Sequence, residues 1–173
     1  MNPPRMLRRL LIATTLTVMS ACSTSPPAEP AGATFVVVRH AEKADDGSKD
    51  PPLTGAGEER ARRLATSLAD APVVAVYSTH LRRTTRTAEP TARLHGLPVT
   101  TYAPAEPALD LAARLRSAHR AGTVLVVGHS NTAPAIASAL CECEVPPMGE
   151  QEYGRMLTIS PGSDGAPRLF TGH

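Results

Sequence analysis

Three short clusters hold the reactive side chains of this chain. They are Arg39-His40, Ser78-Thr79-His80 running on to Arg82-Arg83, and Gly128-His129-Ser130-Asn131. Each follows a short apolar run rich in β-branched residues, at Phe35–Val38, Val73–Tyr77 and Thr123–Val127. Continuous apolar runs of that length suit strands buried on both faces, so the clusters fall just past strand ends. In open α/β sheets, ligands bind in the crevice beyond the carboxyl ends of the strands. Two histidines and two or more arginines meeting there, with no matching cluster of acids, would make an anion site. Guanidinium forks match phosphate oxygens two at a time, and a helix start behind His129 would add amide donors. No carboxylate cluster that could hold Mg²⁺ accompanies them, so neither a metal nor another cofactor is expected.

The elements that must position these residues alternate along the chain. Thr54 is placed to cap a helix running to Ala69, with Ala61, Leu64, Ala65 and Leu68 on one face. A second helix is expected over Leu81–Leu94, where Pro90 should kink or split it and Gly96 should stop it. A third strand follows at Val99–Tyr102, then a helix over Pro107–His119 that starts on proline. A fourth helix spans Asn131–Leu140, and two weaker strands, Arg155–Ser160 and Pro167–Phe170, close the chain. Strands alternating with helices predict an α/β fold: a three-layer α/β/α arrangement around a mostly parallel central sheet. There is no internal repeat and no second linker.

The same residues carry a family resemblance. Val38-Arg39-His40-Ala41-Glu42-Lys43 resembles the Arg-His signature that opens the histidine phosphatase superfamily, whose fold is phosphoglycerate mutase-like. Leu53-Thr54-Gly55-Ala56-Gly57 is similar to its Leu-Thr-x-x-Gly helix start. Tyr77 to Arg83, ending in Thr87-Ala88-Glu89, is similar to its second motif, in which Arg83 takes the place of the phosphate-binding arginine. Gly128-His129-Ser130 resembles the third. The likeness covers about Phe35 to Ala139, in order, and is nearest to the small single-domain branch that includes bacterial phosphohistidine phosphatases. It implies that His40 attacks phosphorus and becomes a phosphohistidine, while Arg39, Arg83 and His129 hold the phosphoryl oxygens. Positioning and charge stabilisation are what phosphoryl transfer needs, and a covalent intermediate divides one hard step into two. Neighbouring guanidiniums should keep His40 unprotonated, whereas His129 would serve best protonated. The resemblance also places a proton-donating acid after the third strand. Glu106 is the candidate by position, its alternative role being a helix-start charge; Asp110 and Glu42 come next. Arg82 and Arg86 read as surface or rim charges, His80 as a possible cleft residue, and His95, His119 and His173 as surface residues.

Composition narrows the setting. The chain has 173 residues, 42% hydrophobic and 20% charged, as a globular domain has. Aromatics are only 3%, too few for a base-stacking surface, and no nucleic-acid partner is expected. The formal charge of +2 becomes −1 once Arg5, Arg8 and Arg9 are set aside. Those arginines precede an apolar run, Leu10 to Met19, of secretory-signal length and too short for a membrane-spanning helix. Val18-Met19-Ser20-Ala21-Cys22 resembles the bacterial lipobox, which implies lipidation of Cys22. The expected organisation is therefore a lipoprotein signal peptide at 1–21, a lipidated Cys22 with a Pro-rich tether to residue 33, and a domain over 34–173. Such a protein would sit in the cell envelope, lipid-anchored to a membrane. Cys141 and Cys143 are either a local disulfide or two free thiols.

Only a short stretch separates Gly96 from Thr123, so a shallow, open cleft is expected. That favours a phosphate carried on something bulky or variable, whether a small molecule, a glycan, a lipid head group or a protein. It disfavours a mutase, which must shield its intermediate from water. The alternatives from other classes are an inactive phosphate- or polyanion-binding lipoprotein on the same fold, and a structural envelope lipoprotein.

Overall fold

The structure is a computed structural model and describes residues 32–173. The expected signal segment, Cys22 and the tether up to residue 31 lie outside the described residues. Ten elements alternate: β1 Thr34–Arg39, α1 Gly55–Ser67, β2 Val73–Thr79, α2 Arg82–Leu94, β3 Val99–Tyr102, α3 Ala108–Ala118, β4 Thr123–Gly128, α4 Thr132–Cys141, β5 Met156–Pro161 and β6 Pro167–Gly172. The six strands form one sheet in the order β3-β2-β4-β1-β5-β6. β3, β2, β4 and β1 run parallel, and β5 and β6 join antiparallel at the β1 edge. This is the expected mostly parallel α/β sheet. The turn-linked pair at the end of the chain supplies its antiparallel part.

The valine-rich central strands are buried because helices cover both faces. Phe35 and Val37 of β1 and Val124 and Val126 of β4 pack with Leu111 and Leu115 of α3 and Ile136 and Leu140 of α4. The alternate residues Val36, Val38, Leu125 and Val127 face Ala88 and Ala92 of α2 and Leu68 at the end of α1. Each fully buried aliphatic side chain contributes roughly 1.5–3 kcal/mol, so the strands that carry the site also carry the core.

Two local expectations resolve differently. α1 begins as expected, with the Thr54 hydroxyl accepting from Gly57 N at 3.1 Å. α2, however, runs unbroken through Pro90. The carbonyl that Pro90 leaves without a donor belongs to Arg86, an exposed residue, so water can replace the lost bond. Earlier in the helix the Thr84, Thr85 and Thr87 hydroxyls donate back to Leu81 O, Leu81 O and Arg83 O. Cys141 and Cys143 form a disulfide with Cα atoms 5.2 Å apart, at the end of α4 where Glu142 adopts a left-handed conformation (φ 55°).

Candidate active site

β1 and β4 are neighbours, and their register brings the two histidines together. Arg39 pairs with Gly128, and His40 N donates to Gly128 O at 2.9 Å. The strands therefore release His40 and His129 side by side, with ring centroids 5.5 Å apart in an edge-to-face arrangement. Gly128 is required there: a Cβ would meet the Thr132 hydroxyl at 2.9 Å and the Tyr102 hydroxyl at 3.3 Å. β2 lies on the far side of β4 and ends at Thr79, whose Oγ1 is 3.2 Å from His129 Nε2. The first turn of α2 then supplies Arg83.

The loop after His40 is fastened to α1. Thr54 N donates to Glu42 O at 2.9 Å, and a Cβ on Gly57 would collide with that same carbonyl. This close approach explains the glycine of the Leu-Thr-x-x-Gly segment. The Glu42 carboxylate accepts a bidentate pair from Arg60, whose guanidinium holds it below the usual carboxylate range. Glu42 is thus a strut for the loop.

His40 is 4% exposed, and its Nδ1 lies 2.8 Å from Ala41 O. A carbonyl only accepts, so Nδ1 carries the proton and Nε2 keeps its lone pair. Burial pulls the His40 pKa down to about 4, with His129, Arg39 and Arg83 adding to the shift against the Ala41 hydrogen bond. The expected effect of the guanidiniums is present, but burial is the larger cause. His129 is also lowered to about 4, by burial first and then by Arg83 and Arg39. Both imidazoles are therefore neutral at neutral pH, which differs from the protonated His129 expected from the sequence. An anion among them would act in the opposite direction, since a negative charge favours imidazolium. The hydroxyl chain below His129 runs from Thr79 Oγ1 to Thr84 Oγ1 at 2.7 Å, and Thr84 Oγ1 donates to Leu81 O at 2.8 Å. With Thr84's proton directed there, Thr79 donates to Thr84 and accepts from His129 Nε2–H.

Arg39 is 3% exposed and is built into the fold as well as the site. Its Nη1 donates to Gly149 O and Glu150 O at 2.8 Å each, and at 3.4 Å to Glu152 O. Its guanidinium stacks 4.2 Å from the Tyr153 ring, which is 6.2 Å from the His40 ring. Nη2 makes only a 3.4 Å contact with Glu150 Oε2. Arg83 is looser, with Nη1 3.7 Å from Asp50 Oδ1. The Nε atoms of both Arg39 and Arg83 are buried with no hydrogen-bond partner among the described residues. The charges of both guanidiniums act on His40 and His129, so the pair of imidazoles sits in fixed positive charge of the kind that suits an anion.

The structure thus brings together His40, His129, Arg39 and Arg83. Glu106 follows β3, and its charge acts on Tyr102, whose hydroxyl lies beside Gly128. The Glu106 carboxylate is bound bidentately by Arg114 of α3, at 2.8 and 2.9 Å. Arg86 pairs with Glu89 and Arg82 is exposed, as expected of rim charges. His119, expected at the surface, meets the Tyr77 hydroxyl through Nε2 at 2.9 Å. Sequence reasoning missed Tyr153 and Glu150, which sit on the loop between α4 and β5. A signal was present: one of only three tyrosines in the chain lies just before the strand that pairs with β1.

Residues 35–104 match the family profile of the histidine phosphatase superfamily (branch 1). The protein histidine phosphatase SixA, solved with tungstate, superposes with a TM-score of 0.63 at 21% identity, covering 80% of this chain and 95% of that one. The fold is that of the histidine phosphatase superfamily. Phosphoserine phosphatase from Entamoeba histolytica, solved with 3-phosphoglyceric acid, superposes on this histidine phosphatase fold with a TM-score of 0.60. It shares 16% identity and covers 82% and 97% of the two chains. A mycobacterial glucosyl-3-phosphoglycerate phosphatase, solved with VO3, gives 0.58 at 19% identity over 79% and 96%. No curated protein matches the sequence.

Proposed function

We propose that this protein is a metal-independent phosphatase that works through a phosphohistidine on His40. The observation that carries the reading is the state of His40: a buried imidazole with Nδ1 tied to Ala41 O, Nε2 free, and a pKa of about 4. Such a ring keeps its lone pair at any pH near neutral, as a nucleophile must. Arg39 and Arg83 supply fixed positive charge where negative charge develops, and His129 adds an imidazole that gains a proton when an anion arrives. Metal independence is supported by this positive lining, which already meets the charge of a phosphoryl group. The substrate would be a phosphomonoester or phosphoramidate on a small molecule, glycan, lipid head group or protein. The signal-like start and the Cys22 segment support an extracytoplasmic enzyme held on a membrane by lipid, and mass spectrometry of membrane-extracted protein should find diacylglyceryl-modified Cys22. The activity is tested with 4-nitrophenyl phosphate in the presence of EDTA. Turnover that persists in EDTA and disappears in His40→Ala supports the reading. No turnover, or turnover restored by a divalent ion, contradicts it.

A further inference from the structure

The acids near the site divide into committed and uncommitted ones. Glu42 is held by Arg60 and Glu106 by Arg114. Asp50 accepts from Arg82 N at 2.9 Å and so anchors the start of α2 beside Arg83. Glu150 is different. Its Oε2 is 3.4 Å from Arg39 Nη2 and its Oε1 accepts from Ser130 Oγ at 3.1 Å. Arg39 precedes His40 and Ser130 follows His129, so this carboxylate bridges the two edges of the histidine pair. Its backbone is fixed, because the Glu150 carbonyl and its neighbour Gly149 both bind Arg39 Nη1. Its side chain is 81% exposed. A fixed backbone, loose side-chain contacts with Arg39 and Ser130 and open access to water are what a group needs to deliver a proton and be recharged by solvent.

We propose that Glu150 is the proton donor to the leaving oxygen, an inference that rests on the phosphatase reading above. A phosphoryl group on Arg39 takes over the Nη2 donor and frees the Glu150 carboxyl from that contact. In the first step His40 Nε2 forms the N–P bond while the P–O bond breaks. The bond pair leaves on oxygen, and the carboxyl proton of Glu150 passes to it. In the second step water attacks phosphorus and gives its proton to the Glu150 carboxylate. The N–P bond breaks with its pair returning to Nε2, and the starting state is restored.

The test is the dependence on leaving group, using kcat/KM for 4-nitrophenyl phosphate and for an alkyl phosphate on the full chain. This parameter stops at P–O cleavage and is blind to the hydrolysis of the intermediate. Glu150→Gln keeps the shape and the Ser130 contact. It should lower the alkyl-to-aryl ratio of kcat/KM by about 10² or more, because a good leaving group needs little acid help. Equal slowing of both substrates would mean that Glu150 acts only by holding Arg39, and would overturn the proposal. So would an unchanged ratio, or a ratio that falls in Glu106→Gln instead. If the unaltered protein hydrolyses neither substrate, the phosphatase reading itself fails, and this proposal fails with it.

Discussion

Arg39 and Arg83 face the same anion site but are held differently, and that difference has a measurable consequence. Changing Arg39 to Lys keeps the charge and removes the fork. The 2.8 Å bonds from Nη1 to Gly149 O and Glu150 O are hydrogen bonds from a charged group, worth about 1.5–3 kcal/mol each. The stacking on Tyr153 adds about 0.5–2 kcal/mol. A lysine ammonium reaches one carbonyl at best, and water reaches part of this loop, so Arg39→Lys should cost about 3 kcal/mol. For a domain of this size that is a fall in Tm of roughly 10 °C. Arg83→Lys gives up only a 3.7 Å contact with the partly exposed Asp50, an interaction worth about 0–1 kcal/mol, so its Tm should hardly move. Both variants should lose about 10²–10³ in kcat/KM, as removal of one preorganised donor does. Thermal unfolding by circular dichroism, paired with kinetics on 4-nitrophenyl phosphate, separates the two effects. The reasoning is refuted if Arg39→Lys melts with the parent protein, or if both variants are destabilised alike.

His40 and His129 lie near pKa 4 in the fold and near 6.5 in an unfolded chain. The unfolded state therefore binds more protons between those values. Stability should be highest above about pH 6.5 and should fall as pH drops toward 4, with urea unfolding in phosphate-free buffers as the check. kcat/KM should fall on acidification only as pH approaches 4, where His40 gains a proton; a loss centred near 6.5 would show that His40 is not held as described. Reducing the Cys141–Cys143 disulfide should cost only roughly 1.5 kcal/mol, since so short a loop removes little chain entropy, and should leave hydrolysis in place. Abolition of activity by a reductant would assign the bridge a larger part.

The central strands, the helices between them and the four residues of the anion site were legible in the sequence because local signals agreed. The Phe35–Val38 and Thr123–Val127 runs are buried on both faces, and each delivers a histidine at a strand end. Register alone then sets His40 beside His129. The ion pair of Glu106 was not legible, because distance along the chain after a strand says nothing about Arg114, two turns into the next helix. The loop between α4 and β5 was unreadable for a related reason. Its carbonyls meet Arg39 across a sequence distance that carries no periodic pattern, and nothing local marks Gly149 O as a guanidinium acceptor or Glu150 as a neighbour of Ser130. The unbroken course of α2 past Pro90 depended on which carbonyl would lose its donor, a question of exposure that sequence alone leaves open.

The claim at the centre is the covalent role of His40, and rapid quenching tests it most directly. The protein is mixed with a phosphorus-labelled aryl phosphate, quenched in alkali within milliseconds to seconds, and digested for mass spectrometry. The result consistent with a nucleophilic His40 is a phosphoryl group on the peptide containing His40, stable to alkali, lost in acid, and absent from His40→Ala. Label on another residue, or full turnover with no labelled protein at any quench time, would contradict it.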